Sequence, residues 1–310
     1  MTQAHFTRPD DETSPERSQR VGMAQAAFDT IRVDYPPQTG AIASLDETRI
    51  AGLNRQQGAP CGGTMMVAPH GAGKTEAIRL LRDIVRRTAG EDSVPVLHVE
   101  INTSGTTDSI STSILTALGA ARPSTGTEKL RWPRAIAEIR RLGVQLIVFD
   151  EFNRAARRPT MSRAIATTIR ERIMDAGVAP VAFVGSEDAG AVLSQAPELL
   201  ERLEDEIDLS PLQWASKGDR SLFQTFVDDL DEALVSHGLM ACKSDLAGIA
   251  TARPLWEASS GRIRRICKVV RHAMSTSLRD GRSFIGRNDL ADAVDAYCIK
   301  SNFCDHNPFV

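Results

Sequence analysis

The stretch TMMVAPHGAGKTEAIRLL, residues 64–81, decides the fold: an apolar β-type run ends in a glycine-rich loop, and a segment with helical apolar spacing follows directly. A loop at such a junction needs glycine because backbone N–H groups must converge on phosphate oxygens, and side chains would block that approach. The loop fits A/G-x4-G-K-S/T, with Ala68, Gly73, Lys74 and Thr75 in the defining places. Ala68 stands where glycine is more common, and both are small. On this reading Pro69, His70, Gly71, Ala72, Gly73, Lys74, Thr75 and Glu76 form the cradle of a bound ATP. Lys74 brings a point charge to the β and γ phosphates, Thr75 supplies a hydroxyl ligand to Mg2+, and the helix start adds its positive dipole end. His70 has no role of its own. The plainer reading is a glycine-rich turn capping an amphipathic helix; the strand before it and the apolar positions Ala77, Leu81 and Ile84 after it favour the nucleotide.

The rhythm continues outward. Strands are expected at 94–102, 144–151, 178–187 and, briefly, 206–210, with helices at 75–88, 109–119, 127–142 and 160–175. Val- and Ile-rich runs separated by helices are what a parallel sheet covered on both faces requires. Residues 41–212 therefore read as a doubly wound α/β P-loop NTPase domain. After Leu212 the strand signal stops, and four segments with three-and-four apolar spacing predict a small all-α lid domain over 213–300. Before the sheet, a polar, acidic and Pro-containing arm and one helix from Val21 to about Arg32 make up residues 1–40, with DYPPQTG breaking that helix; residues 301–310 remain as a tail.

LIVFDE, residues 146–151, supplies the second chemical element. Four apolar residues build a buried strand, and two carboxylates emerge at its C-terminal end, where α/β sheets carry their ligand crevice. Asp150 is the expected second Mg2+ ligand, acting through the ion's water shell. Glu151 is the expected base that orients and deprotonates the water attacking the γ-phosphate. A strand end with two exposed acids is common by itself, but less so about 75 residues after such a loop. At the end of VAFVGSE (181–187), Ser186 is suited to hydrogen-bond that water or the γ-phosphate, and it is equally an ordinary turn residue. Arg202, before the last strand, and Arg262, Arg264 and Arg265, at a helix start, are candidate cations for the γ-phosphate; surface pairing with neighbouring acids is the competing reading for each.

The 310 residues are 42% hydrophobic and 25% charged, ordinary for a globular protein, and the net charge of -3 gives no global attraction to nucleic acid. Five scattered cysteines without a CxxC point away from a disulfide framework and towards a reducing compartment. Cys298, Cys304 and His306 lack a second ligand pair, so no metal is expected there. With no apolar leader at the start and no apolar run of spanning length, a cytoplasmic protein is expected.

The phrases LIVFDEFNRAARR, PVAFVGSEDAGAVLSQAPELLERLE and WEASSGRIRRICKVVRHA, together with the glycine-rich loop, resemble the AAA+ ATPases of the TniB/TnsC family of transposition regulators, relatives of the phage Mu B protein. The resemblance spans roughly residues 20–298. It implies an ATPase that oligomerises as a ring or filament on double-stranded DNA and directs a transposase to its target, with a further target-selection protein as an added partner. It makes Lys74 and Thr75 the Walker A pair and Asp150 and Glu151 the Walker B pair. Ser186 falls at sensor 1 and Arg264 at sensor 2. Arg202 lies near the place of the finger that acts in trans, for which Arg172 is another candidate. The loop beginning at Thr103 lies where members of the family approach DNA.

Local charge gives DNA a footing without the family. Segment 152–172 holds six arginines, among them Arg154, Arg157, Arg158 and Arg163, against Glu171 alone; segment 251–287 holds nine Lys or Arg against Glu257 and Asp280. Such patches can neutralise phosphates, and a solvated helix face explains either one as well. With 5% aromatic residues and none interleaved in the arginine-rich run 154–172, backbone contact of low sequence specificity is expected rather than base stacking.

Overall fold

The computed structural model describes residues 6, 12–101, 106–157 and 159–310. The chain order is α1 (Ser14–Phe28), α2 (Pro36–Asn54), β1 (Gly63–Val67), α3 (Lys74–Arg86), β2 (Val96–Glu100), α4 (Thr107–Ala117), α5 (Glu128–Arg141) and β3 (Leu146–Asp150). A 3-10 turn (Phe152–Arg157), α6 (Pro159–Ile169), β4 (Val181–Gly185), α7 (Glu187–Ser194), α8 (Pro197–Leu200) and β5 (Leu203–Glu206) complete the α/β part. Then come α9 (Lys217–Ser236), α10 (Ile249–Ser259), α11 (Ile263–Arg279) and α12 (Arg287–Val294). Two compact units result: residues 36–210, and residues 1–35 with 211–310.

The first unit is a five-stranded, all-parallel sheet in the order β2-β3-β4-β1-β5. β3 and β4 are buried along their whole length, which is why both read as continuous apolar runs rather than as alternation. Ile147, Phe149, Val181 and Phe183 pack with α4 to α8; Met66, Leu146, Val148, Ala182 and Val184 pack with α2 and α3. α3 buries Ala77, Ile78, Leu81 and Val85, one stripe at helical spacing.

Three helices, α2, α7 and α8, were not read from the sequence, and the short strand expected at 206–210 lies earlier, at Leu203–Glu206. The Pro36-Pro37 pair reads as a breaker, yet it opens α2, because proline is tolerated in a helix's first turn, where its missing N–H has no partner to lose.

The second unit gathers α9 to α12 around a core that includes Phe223, Phe226, Val270, Ala273 and Leu278. α1 belongs to the same core through Val21, Ala24 and Phe28. Phe6 is buried with them, and Arg20 donates to the carbonyls of Phe6 and Leu278 at 3.0 Å each while its Nε meets Glu12 at 2.5 Å. Residues 12–35, set apart above as arm and helix, thus pack with the helical unit. So does the 301–310 tail: Phe309 is buried, its carbonyl accepts from Arg287 Nε at 2.9 Å, and Asn307 Nδ2 donates to the Ala291 carbonyl at 2.9 Å. Apolar side chains at both ends find the same core, a contact no local pattern reveals. Among the described residues no helix is long and apolar enough to cross a membrane.

Phe183 is fully buried, 6.2 Å from the Phe149 ring and 4.8 Å from that of Phe152. Phe183→Ala is expected to destabilise the α/β unit by about 3–5 kcal/mol, read from the guanidinium unfolding transition of that unit.

Candidate functional site

Parallel strands bring the ends of β1, β3 and β4 to one edge. The link is continuous: the Ala68 amide donates to the Gly185 carbonyl, and the Ile101 amide to the Asp150 carbonyl, both at 3.1 Å. The glycine-rich loop leaves β1 there and enters α3 at Lys74. Gly73 precedes the helix at φ +102, and a Cβ on it would stand 3.1 Å from Gln38 Nε2. Gln38, on α2, donates to the Gly73 carbonyl at 3.3 Å and so holds the loop from above. Lys74 is buried and its ammonium donates to the carbonyls of Ala68 and of Pro69, the latter at 3.0 Å.

Thr75 meets the other half of the site. Its hydroxyl donates to Asp150 Oδ2 at 3.3 Å, although 75 residues separate the two in sequence. Asp150 is 4% exposed, and a carboxylate so buried needs donors. Among the described residues three supply them: the Thr75 hydroxyl, the His98 imidazole Nε2 at 3.0 Å from Oδ2, and the Glu151 amide at 2.8 Å from Oδ1. Burial alone would raise its pKa, but hydrogen bonds from His98, the Glu151 amide and Thr75 overcome it and hold Asp150 below the ordinary carboxylate value. His98 was missed by the sequence reading. It stands on β2 two residues before Glu100, the register partner of Asp150, so its side chain shares the face to which Asp150 points.

Glu151 stands differently. It adopts φ +56, a left-handed conformation uncommon for a side chain of this kind, and its carboxylate is 32% exposed. Asn153 Nδ2 donates to Glu151 Oε2 at 3.4 Å, and Arg154 Nε lies 3.7 Å from the same oxygen. Arg154 also donates to the Ile101 carbonyl at 3.0 Å and approaches Glu100 at 3.7 Å. Its guanidinium thereby lies beside the acids at the strand ends and is partly exposed. Ser186 caps the start of α7, and its amide donates to Asn153 Oδ1 at 3.2 Å.

The remaining candidates of the α/β unit make other contacts, are exposed, or lie outside the described residues. Arg202 is next to the start of β1, where its carbonyl accepts from the Gly63 amide at 3.0 Å, and its guanidinium meets Asp175 at 3.2 Å. It is therefore at the opposite end of the strand from the glycine-rich loop of its own chain. Arg172 is exposed beyond α6, and Arg163 makes an exposed pair with Glu198 at 3.1 Å. Arg264 is exposed in the first turn of α11. Arg157 ends the 3-10 turn; Thr103 and Arg158 lie outside the described residues.

A buried lysine on a glycine loop, with a threonine hydroxyl meeting a deprotonated aspartate, is an all-oxygen and ammonium donor set. It suits phosphate oxygens and a hard divalent cation such as Mg2+, so the residues present fit a magnesium nucleotide. Residues 32–211 match the sequence model of the bacterial TniB protein family. The chain belongs to the TniB family. No curated protein matches this TniB-family chain. Among solved structures it is similar to the Aeropyrum pernix ORC2 protein in its ADPNP-ADP complexes, at 16% identity and TM-score 0.60, covering 87% of this chain and 71% of that one. It is likewise similar to the Aeropyrum pernix ORC1 protein in complex with DNA, at 17% identity and TM-score 0.61, covering 88% and 69%. Similarity to Cdc6p of Pyrobaculum aerophilum is at 14% identity and TM-score 0.56, covering 87% and 70%. These likenesses show that the chain has the fold of the ORC and Cdc6 structures.

Because Asp150 is held below its ordinary pKa, its ionised form stabilises the fold above the ordinary carboxylate range, and this contribution is lost as pH falls through the depressed value. His98→Ala removes one of the lowering contacts and leaves the burial. The Asp150 midpoint in nucleotide-free protein is expected to move upward, read by carbon-detected NMR of the side-chain carboxyl, with acid destabilisation beginning at higher pH.

Proposed function

We propose that this protein is an ATP-dependent regulator of DNA transposition: ATP stabilises an oligomer on duplex DNA, the oligomer recruits or activates a transposase, and hydrolysis dissolves it. The observation that carries the reading is the meeting of Thr75 with Asp150 at 3.3 Å beside Lys74, within a TniB-family chain. In this reading Lys74 and the amides of residues 69–76 hold the phosphates, and Thr75 and Asp150 hold Mg2+. Bound Mg2+ supplies the positive charge that phosphoryl transfer to water requires. Glu151 orients and deprotonates the attacking water, and Ser186 contacts that water or the γ-phosphate. Arg264 senses the γ-phosphate from the helical unit, and Arg202 or Arg172 reaches the nucleotide of a neighbouring copy.

For DNA, the proposal uses backbone contacts of low sequence specificity from Thr103, Arg154, Arg157, Arg158 and Arg163. The ORC and Cdc6 neighbours, of which ORC1 is in complex with DNA, support an association with DNA for a chain of this fold. They also motivate the second reading, an AAA+ protein of the initiator or clamp-loader kind. A transposase gene beside this one favours the first reading, and a replication locus the second. A nucleotide-binding scaffold without turnover is a third reading, against which Glu151 argues.

On duplex DNA, wild-type protein is expected to sediment as an oligomer with ATP and not without it, and Lys74→Ala to show none in either condition. Equal assembly without nucleotide overturns the switch. For turnover, Glu151→Gln is expected to lower steady-state phosphate release by about 10²–10⁴-fold, the usual contribution of a general base.

A further inference from the structure

Asn153 lies between the two strand ends that carry the chemistry. Its Oδ1 accepts from the Ser186 amide at 3.2 Å, at the end of β4, and its Nδ2 donates to Glu151 Oε2 at 3.4 Å, just past the end of β3. The two partners determine the orientation of the carboxamide. A backbone N–H on one side demands an acceptor and a carboxylate on the other demands a donor, and among side chains of this length only asparagine offers both. Aspartate in the same place would turn an oxygen towards Glu151, and alanine would leave both partners without it.

The local backbone is shaped around this contact. Gly185 has no Cβ, and one built there would stand 2.9 Å from Asn153 Oδ1, 3.1 Å from the Asn153 amide and 2.7 Å from the Ala189 Cβ. Glycine before Ser186 is thus what lets the 3-10 turn approach β4. Phe152, fully buried against Phe183, anchors the residue before Asn153. Glu151, between the buried Asp150 and this anchor, takes the left-handed φ of +56. Its side chain is otherwise a flexible, partly exposed carboxylate, whose freedom would cost precision in holding a water.

We infer that Asn153 is a positioning residue for hydrolysis: it ties the Glu151 carboxylate to the end of β4, so that Glu151 and Ser186 address one water. Arg154, on the same Oε2, adds charge and links Glu151 to the end of β2 through Glu100 and the Ile101 carbonyl, whereas Asn153 links it to the end of β4. The inference rests on the hydrolytic reading above and assigns Asn153 no contact with nucleotide or metal.

The test combines turnover with a measurement on nucleotide-free protein. In Asn153→Ala and in the same-sized Asn153→Asp, kcat is expected to fall at least tenfold while ATP affinity stays within threefold of wild type, which also certifies the fold. In a Glu151→Gln background, Asn153→Ala is expected to cost less than twofold more, since the residue acts through Glu151. In nucleotide-free protein, exchange of the Ser186 amide hydrogen is expected to accelerate at least tenfold in Asn153→Ala, with the Ala68 amide unchanged. Wild-type turnover that both single variants retain, or unchanged Ser186 exchange, overturns the inference alone. Loss of ATP affinity in step with kcat overturns it in favour of a purely structural role. A wild-type protein that binds ATP and does not hydrolyse it overturns the hydrolytic reading, and the inference falls with it.

Discussion

The structure depends on the parallel order β2-β3-β4-β1-β5, which sends every strand's C-terminal end to one edge. With that order a hydroxyl at the start of α3 reaches a carboxylate at the end of β3, 75 residues away, at 3.3 Å. A parallel sheet buried on both faces leaves its strands no water, so their polar groups are satisfied within the ladder and their chemistry emerges at the ends. The strand ends are therefore where buried and exposed polar groups are close enough to act together.

Two adjacent carboxylates illustrate what that edge does. Asp150 is enclosed and held ionised by three donors, a state suited to a fixed, permanently charged ligand. Glu151 faces partly outward on a left-handed residue, with an amide and a guanidinium at one oxygen. Neighbouring acids thus acquire different environments, and different environments assign different roles. The strand supplies the position; the 3-10 turn that follows, anchored by Phe152 on Phe183, supplies the difference.

The helical unit is built on a different economy. Its core is assembled from segments far apart in the chain, with Phe6 and Phe28 near one end and Phe309 at the other, all buried among α9 to α12. Closing so long a loop costs entropy that grows only slowly with length, so a few apolar side chains and the Arg20 hydrogen bonds suffice to hold the ends in place.

Most local signals were legible. The glycine-rich loop, the strand-ending Asp150 and Glu151, the alternation of strands and helices and the switch to helices after Leu212 all follow from periodicity and from glycine's lack of a side chain, properties of neighbours in sequence. Long-range register was not. His98 on Asp150, Gln38 on the loop, Asn153 between β3 and β4, and Arg154 beside the acids of β2 and β3 each depend on which elements lie beside which. No period of two or 3.6 residues encodes that order. The sequence alone determined that this chain could hold a nucleotide; the tertiary structure alone decided which side chains surround its carboxylates, because a polar group's partner is chosen by strand neighbours and burial rather than by the residues on either side of it.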